Sequence, residues 1–466
     1  MSNNKIFILL PDGIGLRNFA YSNFYQIGKD KKFDVVFWNN TSFPLSDLGF
    51  SEIKINDAKV SPKTNILKAV KLYATLNLFE KRSNDSVYQS YKFPLQFKGI
   101  KSSLKSILCL FLIKRYSSEK RILKLDDAIN KAERNTAYYK KCLETLQQEK
   151  PSIVFTTNQR QILSVAPLLA AKDLNIPTVA FIFSWDNLPK ATLVVNTDFY
   201  FVWSEHMKQE LLHYYPQIKE EQITITGTPQ FEMHFDKKKL LSRAAFFDNY
   251  KLDSTKKYIC FSGDDYTSSP DDPKYLRDLA LAVRKLNSEN FNLGIIFRKC
   301  PVDFSNRYDD VITEFKDLIV PIDPLWKTLT THWDSILPQK EDDALLSSIA
   351  EHCEMVVNLG SSMVFDFVAH QKPCGYFRYN QKNQLNEKWD IFKCYQFVHF
   401  RSMPNENSVF WLDNPEEIAQ KIETILSNNS NVANAQKWFE KINQHPPQIA
   451  SERIWNAIEE ICKIQC

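Results

Sequence analysis

At 466 residues the chain exceeds what one ordinary core organises, so two or three domains are expected. Hydrophobic residues make up 44% and charged residues 24%, with 33 Phe, which excludes a largely disordered chain and supplies a sizeable core. The formal charge of +4 excludes the electrostatic footprint of a nucleic-acid binder. Nine cysteines are scattered without a CxxC pair, so neither a disulfide framework nor structural zinc is expected, and a reduced cytoplasmic setting fits. The opening apolar run is too short for a secretion signal. Ile107–Ile113, the longest other run, is far below the about 20 residues that span a bilayer.

Short apolar runs alternate with longer helix-like stretches, the pattern of a parallel α/β sheet. Strands are predicted at Ile6–Leu10 and Asp34–Trp38, and helical periodicity over 126–148. Strand Ser152–Thr156 and helix Gln161–Asp173 follow, then strands Thr178–Phe183 and Asp198–Trp203, helix Glu205–Tyr214 and strand Gln222–Thr226. Residues 236–256 read as a charged linker holding a short helix. The pattern then restarts with strand Lys257–Ser262, helix Lys274–Asn287, strand Leu293–Phe297 and helix Asp343–His352. Strand Glu354–Asn358, helix Met363–His370 and strand Cys374–Phe377 come next, and three helices at Pro415–Leu426, Asn434–Asn443 and Ser451–Ile464 end the pattern. Two β/α units of similar size are therefore expected.

Ligands of such sheets bind beyond the carboxyl ends of the strands, so chemistry is sought in the loops that follow them. With only 10 Gly in the chain, a glycine at a strand end is informative. Gly360-Ser361-Ser362 stands between a strand and a helix, where free N–H groups and hydroxyls suit a phosphate, and Asp366 one turn on suits ribose hydroxyls; a plain serine cap is the other reading. Arg298 and Lys299 at another strand end could grip a phosphate or form a solvated pair. Gly227, in Thr226-Gly-Thr-Pro229, is a donor-loop candidate or a simple turn. After the first strand, Asp12 could serve as a general base, with Gly13, Arg17 and Asn18 around an acceptor; a Pro-Asp-Gly turn is the alternative. Trp185 beside Asp186 suits a sugar, with Asp186 a reserve base, or forms a packed cap. Asp264-Asp265 lacks a matching acidic cluster, so no metal is expected, and Glu341-Asp-Asp343 reads as an acidic first helical turn. Segment 98–115 is cationic and apolar: it could contact an anionic membrane or form a core helix with a basic outer face.

Ser184-Trp-Asp-Asn-Leu188, Asp198-Phe-Tyr-Phe-Val-Trp203, Ile225-Thr-Gly-Thr-Pro-Gln-Phe231, Arg298-Lys-Cys-Pro301 and Gly360-Ser-Ser362 occur in this order, and together they resemble bacterial surface-polysaccharide glycosyltransferases of the GT-B superfamily. The resemblance implies an α/β fold with two Rossmann-like β/α/β domains facing an interdomain cleft. The implied division is an acceptor domain at 1–235, a linker at 236–256, a nucleotide-sugar domain at 257–430, and helices at 431–466 that return to the first domain. It further implies metal-independent transfer, without a cofactor, from a UDP-, GDP- or CMP-linked sugar to a cell-surface glycan or lipid-linked precursor. A sugar-nucleotide epimerase of the same architecture, or a non-catalytic binding subunit, are the alternatives. Ser361-Ser362 matches the Ser-Ser pair of CMP-sugar transferases, while Cys300-Pro301 lacks the His of their His-Pro pair.

Overall fold

A computed structural model describes residues 4–328, 336–427 and 432–464. The chain forms two compact units: one runs to Thr228 and takes in the chain again from Ile449, and the other is Pro229–Gln448.

The first unit is built on a parallel sheet of β1 (Lys5–Leu10), β2 (Asp34–Asn39), β3 (Glu52–Lys54), β4 (Ile153–Thr156), β5 (Thr178–Phe181), β6 (Phe199–Val202) and β7 (Ile223–Ile225). Their order is β3-β2-β1-β4-β5-β6-β7, so the direction of winding reverses between β1 and β4. Ile6 pairs with Val35 on one side and Ile153 on the other. Ile6–Leu10 is wholly buried, which is why β1 reads as an unbroken apolar run rather than an alternating one: helices cover both faces of a parallel sheet. Phe19 packs edge-on to Phe24, Phe155 and Phe181, each at 5.1 Å. The last helix, Ala450–Ile464, packs on helix Phe24–Asp30. There Trp455 stacks on Phe24 at 4.8 Å and donates from Nε1 to its carbonyl at 2.7 Å. A Cβ on Gly28 would lie 2.2 Å from the Trp455 ring, so only glycine admits the indole.

The helix expected over 126–148 is two helices, Glu119–Arg134 and Ala137–Glu149. Thr136 breaks it by accepting from Tyr139 N at 3.0 Å as the cap of the second. Residues 39–97, unread from sequence, hold β3 and the long helix Pro62–Ser83. Helix Ile100–Arg115 lies against Pro62–Ser83, with Cys109 and Ile113 meeting Val70 and Leu125 in a small separate core.

The second unit carries β8 (Lys257–Ser262), β9 (Leu293–Arg298), β10 (Ile319–Pro321), β13 (Cys353–Asn358), β14 (Cys374–Phe377) and β15 (Phe410–Leu412), all parallel, in the order β10-β9-β8-β13-β14-β15. A separate antiparallel pair joins β11 (Trp326–Thr328) to β12 (Ile336–Pro338). Winding reverses between β8 and β13. The 236–256 stretch is part of this unit rather than a linker: helix Arg243–Asn249 buries Phe246 and Phe247, the latter edge-on to Tyr258 at 5.6 Å. Helix Ala433–Ile442 also belongs here and does not return to the first unit, because Trp438 and Phe439 pack on Phe365 at 4.9 and 5.9 Å. Only the final helix goes back.

Candidate functional site

Strand register sets the carboxyl edge of the second sheet. Phe261 stands beside Phe297 and Val357, and Val357 beside Gly375. One residue on, Arg298, Ser262, Asn358 and Tyr376 form the terminal row, with Ser262 opposite Arg298 and Asn358 opposite Tyr376. Neighbouring strands lie about 4.8 Å apart, so Arg298 and the turn after Asn358 occupy one edge, two strands from each other.

The turn is built by its own side chains. Asn358 Oδ1 accepts from Ser361 N at 2.9 Å, and Tyr376 donates its hydroxyl to the Ser361 carbonyl at 2.8 Å. Gly360 sits at φ +73°, and a Cβ there would stand 3.0 Å from Phe400 Cζ. Gly360, Ser361 and Ser362 remain half-exposed and reachable. Helix Met363–Val368, which follows, has only six residues, so any attraction for an anion rests on the turn's N–H and hydroxyl groups and little on a helix dipole.

The cations behave differently from expectation. Arg298 is buried, not solvated: its Nη2 donates to both oxygens of Asp342 at 2.9 Å. Asp342 also accepts from Leu325 N at 2.9 Å and Trp326 Nε1 at 2.8 Å, so this acid lies in the first turn of helix Glu341–His352, as expected, and is a structural anchor as well. Arg298 Nη1 is enclosed and has no partner among the described residues. Lys299 donates to the Ser305 carbonyl and braces its own loop.

Asp366, expected at a ribose, faces inward. His234 Nε2 lies 2.8 Å from its Oδ1, His234 Nδ1 lies 3.0 Å from His370 Nε2, and His370 Nδ1 lies 2.7 Å from Glu351 Oε2. Closing all three contacts takes three protons shared among the two rings and the two carboxyls. Burial, and then His234 beside it, hold His370 below the ordinary histidine range. Sequence reading missed both histidines, which are 136 residues apart.

Asp264 follows β8 at the reversal point. Its Oδ2 is enclosed without a partner among the described residues. Burial, then Asp272 and Asp265, push its carboxyl well above the usual range. Asp272 accepts from the Tyr308 hydroxyl at 2.6 Å and from Asp264 N at 3.1 Å.

In the first unit, Asp12 sits where winding reverses between β1 and β4. It is buried, and accepts from Asn158 Nδ2 and Gln161 Nε2 at 2.9 Å each and from Ile14 N at 3.2 Å. Burial raises its carboxyl above the ordinary value, against those hydrogen bonds. Gly13 accepts from Leu16 N at 3.2 Å at the start of helix Gly15–Phe19. A Cβ on Gly15 would lie 2.6 Å from Thr157 Oγ1, which explains the glycine. Asn18 is buried and Arg17 half-buried on that helix. Trp185 is buried, leaving little ring face for a sugar, and Asp186 is paired with Lys190. Gln159 accepts from Phe183 N at 2.8 Å and donates to Asn187 Oδ1 at 3.0 Å, tying the loops after β4 and β5. Gly227, at φ +77°, follows β7 and so belongs to the first unit, whereas the other donor-loop candidates belong to the second. The structure thus gathers Asp12 with Asn158 and Gln161, and Gly360–Ser362 with the row ending in Arg298.

Both units are Rossmann-like, and the architecture is the α/β, GT-B-like class that the motifs resemble. No family model matches the chain, and no curated protein sequence matches it. Solved structures do. A UDP-GlcNAc 2-epimerase from Methanocaldococcus jannaschii aligns with a TM-score of 0.52 at 13% identity, over 98% of this chain and 99% of its own. A glycosyltransferase from Rickettsia africae aligns with 0.53 at 13% identity, over 99% and 100%. MnaA of S. aureus, solved with UDP, aligns with 0.52 at 13% identity, over 98% and 96%.

Proposed function

We propose that the chain is an enzyme acting on a nucleotide-activated sugar, its second unit holding the nucleotide phosphate at the carboxyl edge of β8, β9 and β13. The observation that carries this reading is the half-exposed Gly360-Ser361-Ser362 turn at the reversal of strand order, where open α/β sheets bind ligands. Arg298, held by Asp342 on the same sheet edge with its Nη1 unpartnered among the described residues, stays a phosphate candidate in this reading, and Asp366 meets His234. Three solved neighbours named UDP-GlcNAc 2-epimerases, against one named a glycosyltransferase, support a UDP-sugar 2-epimerase more strongly than a transferase. Glycosyl transfer to a cell-surface glycan or lipid-linked precursor is the other reading. It is supported by the transferase among those neighbours and by the motif order 184–231. In transfer, Asp12 would take the proton of the acceptor hydroxyl, whose oxygen bonds to the anomeric carbon. The bond to the nucleotide phosphate would break with its electron pair leaving on phosphate, stabilised by donors at the turn.

Calorimetry with UDP-, GDP- and CMP-sugars, followed by product analysis with donor alone and with added glycan or lipid-linked acceptor, separates the readings. A C2 epimer from donor alone marks an epimerase, and an acceptor-dependent glycoside marks a transferase. Failure to bind any nucleotide sugar refutes both.

A further inference from the structure

Helix Ile100–Arg115 needs only one apolar seam to hold its place, and it has one: Ser106, Cys109 and Ile113 are buried, the last two against Val70 and Leu125. At 3.6 residues per turn these three share one side of the helix. The opposite side should be polar. Instead Ile100, Leu104, Ile107 and Phe111 stand there at i, i+4, i+7 and i+11, 81%, 63%, 58% and 64% exposed, with Leu108 beside them. Phe93 and Phe97 extend this exposed apolar strip ahead of the helix. Lys98, Lys101, Lys105, Lys114 and Arg115 surround it and are all exposed, and none makes an ion pair with a carboxylate among the described residues. Residues 86–118 contain no Asp or Glu. The earlier alternative of a core helix with a basic outer face therefore fails: the outer face is apolar with a basic margin.

We propose that this face docks on a bilayer surface containing anionic lipids. The leucine, isoleucine and phenylalanine side chains enter the boundary between headgroups and acyl chains, and the cations meet lipid phosphates. Charge complementarity selects this occupant. A second copy of the chain would press the same uncompensated cations against each other, whereas an anionic leaflet neutralises them. Length agrees: 16 residues span about 24 Å, and among the described residues no helix is long and apolar enough to cross a membrane, so the helix lies in the interface plane. This surface stands on its own observations, whichever reaction the chain performs.

The test is co-sedimentation of the full chain with phosphatidylcholine vesicles lacking or containing phosphatidylglycerol. Binding at least tenfold stronger to the anionic vesicles, and weakened by added salt, is expected. Leu104→Glu/Phe111→Glu and Lys101→Glu/Lys105→Glu should each cut it at least tenfold while leaving the thermal unfolding curve unchanged. Leu281→Glu, at another exposed leucine, should have no effect. The proposal is overturned if the parent chain ignores both vesicles or if neither double variant loses binding. It is equally overturned if Leu104→Glu/Phe111→Glu instead dissolves a dimer, or releases an acidic protein, in a chain that never bound vesicles.

Discussion

Replacing Arg298 by Met keeps an unbranched stem but removes the guanidinium group and its charge. In the parent, the Asp342 carboxylate accepts two hydrogen bonds from Arg298 Nη2, besides those from Leu325 N and Trp326 Nε1, while the Arg298 and Asp342 side chains are only 7% and 3% exposed. The variant takes the Arg298 cation away from a buried carboxylate, and breaking such a pair costs about 3–5 kcal/mol. In a unit the size of Pro229–Gln448, roughly 2–4 °C per kcal/mol puts the fall in its melting temperature at about 6–20 °C. Adding Asp342→Asn removes the stranded charge and keeps an oxygen for one of two donors, Leu325 N on Oδ1 or Trp326 Nε1 on Oδ2, so the double variant should recover part of the loss. Denaturant unfolding of the full chain, followed by tryptophan fluorescence, measures both. An Arg298→Met chain within about 1 kcal/mol of the parent, below the range for a broken buried pair, would refute the anchoring role of this pair, as would a double variant no better than the single. The consequence for function is practical: donor affinity of any Arg298 variant must be measured where the variant is folded, or lost folding will pass for a lost phosphate contact.

Gly360→Ala puts a Cβ 3.0 Å from Phe400 at a φ that costs a non-glycine residue about 1–2 kcal/mol, and calorimetry should show weaker nucleotide-sugar binding. Asp12→Asn should lower turnover by roughly 10²–10⁴ with donor affinity unchanged, and equal turnover would remove Asp12 from the chemistry. The depressed His370 has a definite pH signature. Between its folded value and the unfolded value of about 6.5 the unfolded chain binds more protons, so stability is full above that value and is lost as pH falls through the folded one. His370→Gln should flatten the fall in melting temperature from neutral to mildly acidic pH relative to the parent, and an unchanged slope would sink the assignment.

The buried strands were legible because burial on both faces writes itself as an unbroken apolar run, as in Ile6–Leu10 and Leu293–Phe297. The edge strands Glu52–Lys54, Ile319–Pro321 and Phe410–Leu412 were not, since three residues at a sheet margin carry no period. Loops worth inspecting were legible from strand ends and scarce glycines; the fate of their side chains was not. Nothing local says that Arg298 will meet Asp342, 44 residues on, or that Asp366 will turn toward His234, 132 residues back. Asn158 and Gln161 were overlooked because amides advertise no charge, although the five polar residues 157–161 that follow β4 were a signal.

Seating Trp455 over Gly28 makes the closing stretch of the chain a structural member of its opening half. On the ribosome, the nascent first unit must wait, with the Phe24 side of its sheet uncovered, until all of Pro229–Gln448 has been synthesised. Chaperone dependence and sensitivity to premature stop codons should therefore be properties of the first unit, even though the lesion lies downstream of Thr228.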